Sequence, residues 1–188
     1  MEQPHDSSSS VISKGRLEFL FDGIFAIAMT ILVLELKVPE LVDRRSMGEL
    51  AHELAHHAPT FVSYLLSFVM LGMFWYRHNH QYHHFHKITE GMLVLHFVQL
   101  AAAAFFPFCA ALVGRYHNNL LSIVIYLGCV LVYTWALSAN WIVARKSGAF
   151  GAEVTAADYL RIRAKGLRGC LIISILLAVV VIEALLQR

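Results

Sequence analysis

Long apolar runs separated by short polar segments dominate the chain. The runs cover residues 17–38, 60–77, 90–113, 120–144 and 168–186. Each is close to the roughly 20 residues that an α-helix needs to cross the hydrocarbon of a bilayer. The pattern therefore predicts an all-α, polytopic membrane protein with about five to six transmembrane helices per subunit.

Polar segments divide the chain further. Residues 46–58 predict a polar helix before the second run, and residues 146–167 predict a loop followed by an amphipathic helix, with Thr155 and Asp158 as a capping pair. Residues 1–14 are polar and serine-rich, without the charged-then-apolar order of a signal peptide. We interpret them as a disordered cytoplasmic tail before one transmembrane domain over residues 15–188.

The composition supports a membrane protein and excludes several other classes. Hydrophobic residues make up 58% of the chain and charged residues 15%, whereas a soluble domain has about 25% charged residues. The net charge of +2 gives no reason to expect a nucleic-acid partner. Three isolated cysteines, all inside apolar runs, indicate neither a disulfide framework nor a zinc site: Cys109, Cys129 and Cys170.

The distribution of lysine and arginine predicts the orientation. With the N-terminus inside, ten of these residues fall on the inner side and five on the outer side. Because cytoplasmic loops carry the excess of positive charge, we expect a cytoplasmic N-terminus. The predicted location is the plasma membrane.

The first run has two different faces when it is drawn as a helix. At about 100° per residue, one aliphatic stripe contains Gly23, Ile27, Ile31, Leu34 and Val38, and Thr30 lies about 60° to one side. Asp22 points about 140° away from this stripe. One face is thus smooth and apolar, while the carboxylates occupy other faces at the N-terminal end.

Carboxylates within a membrane are costly and need partners. The second run ends on the same side of the membrane as Asp22, so we predict a polar network of Arg16, Glu18, Asp22, Trp75, His78 and Asn79. Two interpretations stay open: the network locks two helices together, or it titrates during transport.

Three segments resemble a known family. They are RLEFLFDGIFAIAMTILVLELKVP at 16–39, SYLLSFVMLGMFWYRHNH at 63–80 and FFPFCAALVG at 105–114. Together they are similar to the prokaryotic transmembrane-protein-175 family, whose members are relatives of the endolysosomal potassium channel. Two departures stand out: Leu20 and Phe21 replace the family's Phe-Ser before the aspartate, and five runs are found where the family typically has six.

The resemblance implies a homotetrameric, potassium-permeable cation channel lined by the first helix of each subunit. The constriction would be formed by Ile27, Ile31 and Leu34, and Thr30 would supply a hydroxyl layer. Arg16 and Asp22 would hold the first helix against the second and third spans. The expected partners are further copies of the chain, membrane lipids and permeating K⁺, with no cofactor and no bound metal.

The physics of such a constriction predicts modest selectivity. No TVGYG-like segment is present to replace the hydration shell with carbonyl oxygens. A ring of branched aliphatic side chains gates instead by dewetting and sieves by width. Potassium sheds water more easily than sodium, so we expect a modest preference for K⁺ over Na⁺.

Polar residues outside the first helix suggest weaker hypotheses. Histidines are dense in HNHQYHHFH at 78–86, but no Cys, Asp or Glu joins them, so we do not expect a metal site. Their titration near neutral pH makes pH modulation a minor hypothesis. His96 and Gln99, inside the third run, are interpreted as contacts between helices.

Two other functional classes are alternatives to a channel. A proton-coupled secondary transporter would use Asp22, His78 and His96, but neither internal repeats nor broken helices are evident. An enzyme is disfavoured because the sequence contains no GxSxG or P-loop segment.

Overall fold

The computed structural model describes residues 13–151 and 154–186. Most of the predicted tail, residues 1–12, lies outside these ranges. The helices are α1 (Lys14–Ile31), α2 (Met47–His56), α3 (Ala58–His83), α4 (Glu90–Arg115), α5 (Leu120–Lys146) and α6 (Ala156–Leu186). A 3₁₀ turn, Leu32–Glu35, continues α1.

The predicted fold class is confirmed. Five helices of the described ranges are long and apolar enough to cross a membrane, namely α1 with its 3₁₀ turn, α3, α4, α5 and α6. The polar helix α2 has only 10 residues. At about 1.5 Å per residue it is half the length that a crossing requires.

Two helices are longer than the hydrophobic pattern predicted. Helix α3 continues to His83, beyond the apolar run, because Gln81 and Tyr82 in its last turns are buried in the bundle. Helix α6 joins the predicted amphipathic helix and the fifth run into 31 continuous residues. No proline interrupts it, and isolated glycines cost a helix only about 1 kcal/mol each.

Aromatic side chains fill the centre of the bundle. Phe74 of α3 stacks on Tyr133 of α5, with ring centroids 4.0 Å apart, and Phe106 of α4 meets Phe74 edge to face. The Tyr133 hydroxyl donates to the backbone carbonyl of Phe74 over 3.0 Å. This contact satisfies the one polar atom that the buried tyrosine brings into the core.

Helices α3 and α4 approach each other closely where their facing residues are small. A Cβ on Gly114 would lie 3.2 Å from the Cα of Thr60, a tight contact that would require the two helices to shift by a few tenths of an ångström. Across the same contact, the Ser63 hydroxyl donates to the carbonyl of Ala110 over 2.7 Å. Small residues and hydroxyl contacts are typical of packing between membrane helices.

The segment before α2 is organised by a capping arrangement. The Ser46 hydroxyl accepts from the backbone N–H of Glu49 over 3.1 Å. The Glu49 carboxylate in turn accepts the backbone N–H groups of Val42 (2.7 Å) and Asp43 (3.0 Å). These two bonds, led by the one from Val42, hold the pKa of Glu49 below its usual range.

The buried hydroxyl of Tyr133 provides a test of the core. Tyr133→Phe removes one hydrogen bond without changing the ring packing, so the free energy of unfolding should fall by about 1 kcal/mol. Reversible unfolding in mixed detergent measures this change. Tyr116→Phe, which alters a half-exposed tyrosine, serves as the control and should change stability little. Equal effects for the two variants would contradict the proposed contribution of this bond.

The capping arrangement predicts a pH dependence confined to residues 42–49. Because the pKa of Glu49 is lowered, its contribution is present above the pKa of a free glutamate and is lost as pH falls through the lowered pKa. The protection of the Val42 and Asp43 amides, measured relative to their intrinsic exchange rates at each pH, should therefore fall over that range. Glu49→Gln should reduce their protection at neutral pH, whereas Glu53→Gln should not. Unchanged protection in Glu49→Gln would refute the assignment.

Candidate functional site

Helix α1 is attached to the bundle by one face. Its buried side chains pack against α3 and α4 and are at most 4% exposed: Leu17, Phe21, Phe25, Ala28 and Leu32. Their spacing of three and four residues is that of a single helical face. Phe21 stacks on the ring of His78, and Phe25 meets Tyr133 edge to face.

The opposite side of α1 is uncovered in the subunit. The aliphatic row that the sequence placed on one stripe is exposed, with values of 60% for Ile27, 41% for Ile31 and 72% for Leu34. Gly23 and Thr30 lie on the same exposed side. The exposed row lies in the apolar part of the span. Such a surface is stabilised by contact with lipid or with another protein surface, and not by water.

The Thr30 hydroxyl has a defined orientation. It donates to the carbonyl oxygen of Ile27 over 2.9 Å, a bond to the preceding turn of its own helix. Because the proton is used in this bond, the oxygen lone pairs remain available on the exposed side. The arrangement can therefore offer an oxygen ligand to a cation.

The structure brings Asp22 and Trp75 together among the residues of the predicted network. The indole Nε1 of Trp75 donates to the Asp22 carboxylate over 2.8 Å and connects α1 to α3. Glu18 lies 4.0 Å from Lys14 on its own helix, and Lys14 also donates to the carbonyl of Phe85 over 3.0 Å. Arg16 is exposed and Asn79 is half-buried.

His78 lies inside the bundle and makes no hydrogen bond to the Asp22–Trp75 pair. It is fully buried between Phe21, Tyr82 and His96, and the His78 and His96 ring centroids are 5.3 Å apart. Within the described residues, neither ring nitrogen of His78 has a hydrogen-bond partner. The ring contributes here chiefly through stacking.

A buried polar group around His96 was only partly visible in the sequence. His96 contacts Asn140 of α5 over 3.3 Å, and Gln99 lies one turn further along α4 with its amide buried. Gln81 of α3 donates to the carbonyl of Leu137 over 2.9 Å. The sequence identified His96 and Gln99 as polar residues inside an apolar run that contact other helices. It did not identify Asn140, because nothing in the sequence pattern pairs this residue with His96.

The dense histidines at the end of α3 do not form a metal centre in the part of the chain that the structure describes. No group of three or more His, Cys, Asp or Glu residues there is arranged to hold an ion. His80 and His84 do face each other, with ring centroids 5.0 Å apart, and the His84 Nδ1 bonds to the His80 carbonyl over 2.7 Å.

The fold and the site together define a polytopic helical membrane protein whose first helix leaves one apolar face uncovered. The sequence model of the family described as endosomal/lysosomal potassium channel TMEM175 matches residues 16–107, which run from α1 into α4. The match covers 92 of the 188 residues, and it confirms the resemblance found in the sequence.

Several relatives show the same similarity. The chain is 31% identical over 102 residues to a potassium channel of Streptomyces collinus, covering 54% of this chain and 48% of the relative. It is 34% identical over 106 residues to a potassium channel of Chryseobacterium, covering 56% and 52%. The matched region thus spans about half the length of these bacterial relatives. The human endosomal/lysosomal proton channel TMEM175 is 34% identical over 101 residues, covering 51% and 20%.

A solved structure shares the fold. The lysosomal potassium-selective channel TMEM175 homolog from Chamaesiphon minutus superimposes with a TM-score of 0.78 over 90% of this chain and 87% of that chain. Its sequence identity is 24%, so the comparison establishes the architecture of the subunit.

The contact between Asp22 and Trp75 can be tested by a double-mutant cycle. The carboxylate-assisted hydrogen bond predicts a coupling energy of about 1 kcal/mol between Asp22→Asn and Trp75→Phe. The cycle is measured by unfolding in mixed detergent. The matched cycle pairs Asp22→Asn with Trp135→Phe, because Trp135 on α5 is exposed to a similar degree. Coupling of the same size in both cycles would rule out a specific bond.

Proposed function

We propose that several copies of this chain, most simply four, assemble with α1 at the centre and form a potassium-permeable cation channel. The observation that carries the proposal is the exposed row of Ile27, Ile31 and Leu34 on a helix whose other side is anchored in the subunit. A single subunit offers only one such row, so a closed pathway requires several copies. The names of the two bacterial relatives as potassium channels support the choice of ion.

The aliphatic row would form the constriction. Branched side chains from several subunits leave a narrow apolar neck, which expels water when it is too small to hold a hydrated ion. An ion crosses such a neck only after partial dehydration. Because K⁺ holds its water less strongly than Na⁺, the neck favours K⁺, and its discrimination is modest.

Thr30 would moderate the dehydration. Its hydroxyl proton is engaged by the Ile27 carbonyl, so the oxygen presents lone pairs to the exposed side. A layer of such oxygens replaces part of the lost hydration. In this proposal the pathway contains both an apolar barrier and a compensating polar ring within one helical turn.

The Asp22–Trp75 pair would fix α1 rather than conduct. Asp22 lies at the contact with α3, and its carboxylate is hydrogen-bonded there. The ten lysine and arginine residues on the inner side, against five on the outer side, support a cytoplasmic N-terminus, and we place the protein in the plasma membrane. No catalytic step is part of this proposal.

A proton-coupled transporter is the second candidate, favoured by one observation. His78 and His96 are buried next to each other, and titratable groups within a membrane often belong to proton pathways. The two candidates differ in one measurement. A channel carries K⁺ current at equal pH on both sides, with a reversal potential set by the K⁺ gradient, whereas a coupled carrier also shifts its reversal potential with the proton gradient in a fixed ratio.

The constriction is tested by single-channel recording of reconstituted protein with K⁺ on one side and Na⁺ on the other. Ile27→Ala and Leu34→Ala widen the neck, so we expect a larger conductance and a reversal potential closer to zero. Ile175→Ala on α6 and Leu66→Ala on α3 remove equally exposed side chains of the same types. These two controls should behave like the native protein. Native behaviour of the α1 variants, or equal changes in the controls, would reject the assignment.

The hydroxyl layer has its own test. Thr30→Val keeps the shape of the side chain and removes the oxygen, whereas Thr30→Ser keeps the oxygen and removes a methyl group. Because one oxygen ligand is worth about 1 kcal/mol, Thr30→Val should lower the K⁺ conductance by up to about fivefold and should reduce the preference for K⁺ over Na⁺. Thr30→Ser should retain it. Equal permeability ratios in the two variants would show that the oxygen does not act on the ion.

A further inference from the structure

A cavity of about 260 Å³ lies between α3, α5 and α6, away from the exposed face of α1. It is found at the end of the bundle where α3 finishes and α6 begins. Its polar walls come from Arg77 and His80 on α3, Ser138 on α5 and Lys165 on α6. Tyr76 and Trp141 provide aromatic walls.

The charge of this cavity is unbalanced. Arg77 and Lys165 are permanent cations, and none of the residues that line the cavity is Asp or Glu. Asp158, the acidic residue in the first turn of α6, is hydrogen-bonded to Thr155. Two converging cations without a carboxylate create a site that attracts an anion. The planar guanidinium of arginine is well suited to phosphate oxygens.

Exposed apolar stripes lead away from the cavity toward the other end of the bundle. On α6, Ile172, Leu176 and Val179 follow Lys165 at spacings of seven, eleven and fourteen residues, which place them on its side of the helix. On α3, Met73 and Val69 precede Tyr76 on the same face and are exposed as well. A ligand held at the cationic end therefore has apolar surface on both sides below it.

We propose that this cavity binds the phosphate of an anionic phospholipid whose acyl chains lie along the exposed stripes of α3 and α6. The volume of the cavity fits a headgroup and not a whole lipid. Pockets that enclose an entire small molecule have roughly 300–1,000 Å³, and this cavity has about 260 Å³. Only the headgroup enters, and the chains stay in the membrane. Tyr76 and Trp141 occupy the headgroup level that amphipathic aromatic side chains prefer.

The placement of the cavity matches the distribution of anionic lipid. The end that carries Arg77 and Lys165 also carries Arg145, Lys146, Arg161, Arg163 and Arg168, and is predicted to face the cytoplasm. Anionic lipids concentrate in the cytoplasmic leaflet, which this end of the bundle would face. The inference concerns binding and stands whether or not the protein conducts K⁺.

The test is lipid binding to the purified protein in detergent, followed by native mass spectrometry and by thermal unfolding. Phosphatidylglycerol should bind saturably and raise the melting temperature, and phosphatidylcholine should do so much less. Removing one basic contact should weaken the binding roughly fivefold. The double variant Arg77→Gln/Lys165→Gln should therefore weaken it by about 25-fold.

The matched control is Arg163→Gln/Arg168→Gln, which removes the same charge from exposed positions that do not line the cavity. It should keep near-native affinity. If the double variant at the cavity unfolds, the exposed single change Lys165→Glu provides the same comparison. Equal losses in cavity and control variants, or equal binding of both lipids, would overturn the proposal. Displacement of the lipid by millimolar inorganic phosphate would assign the site to free phosphate and overturn the lipid assignment.

Discussion

The structure depends on how α1 is held by one face only. Phe21, Phe25 and Leu32 enter the aromatic centre of the bundle, and the indole of Trp75 fixes the carboxylate of Asp22 at the edge of that contact. Each fully buried side chain of this size is worth about 1.5–3 kcal/mol. In lipid this value is smaller, and close packing and hydrogen bonds take its place. The anchored face sets the rotation of the helix, and the rotation decides which residues remain uncovered.

The interior combines this aromatic packing with polar groups that come from distant parts of the chain. His78 stacks on Phe21, His96 meets Asn140, and Gln81 bonds to the carbonyl of Leu137. If one helix moved along its neighbour, these polar side chains would lose their partners, and lipid offers no replacement. They therefore fix the register of α3, α4 and α5 more strictly than aliphatic packing alone would.

The sequence predicted the features that depend on a single helix. The five spans, the short polar helix and the separation of Asp22 from the aliphatic row follow from hydropathy and a period of 3.6 residues. Features that depend on how two helices pack together were harder to predict from the sequence. Topology placed Trp75 near Asp22, but the same reasoning included Glu18, which the structure places beside Lys14. The contact of Lys14 with Phe85 and that of His96 with Asn140 depend on helix rotation and separation, and hydropathy specifies neither.

A stretch of six residues of α3, 75–80, connects the two proposed sites. Trp75 and His78 both point toward α1. Trp75 donates a hydrogen bond to Asp22, and His78 stacks on Phe21. Tyr76, Arg77 and His80 line the cavity against α5 and α6. Because these residues lie within six consecutive positions, the side chains that anchor α1 and those that line the cavity share one short stretch of the α3 backbone. On both proposals, α3 is therefore the element that the lipid site and the anchor of α1 have in common.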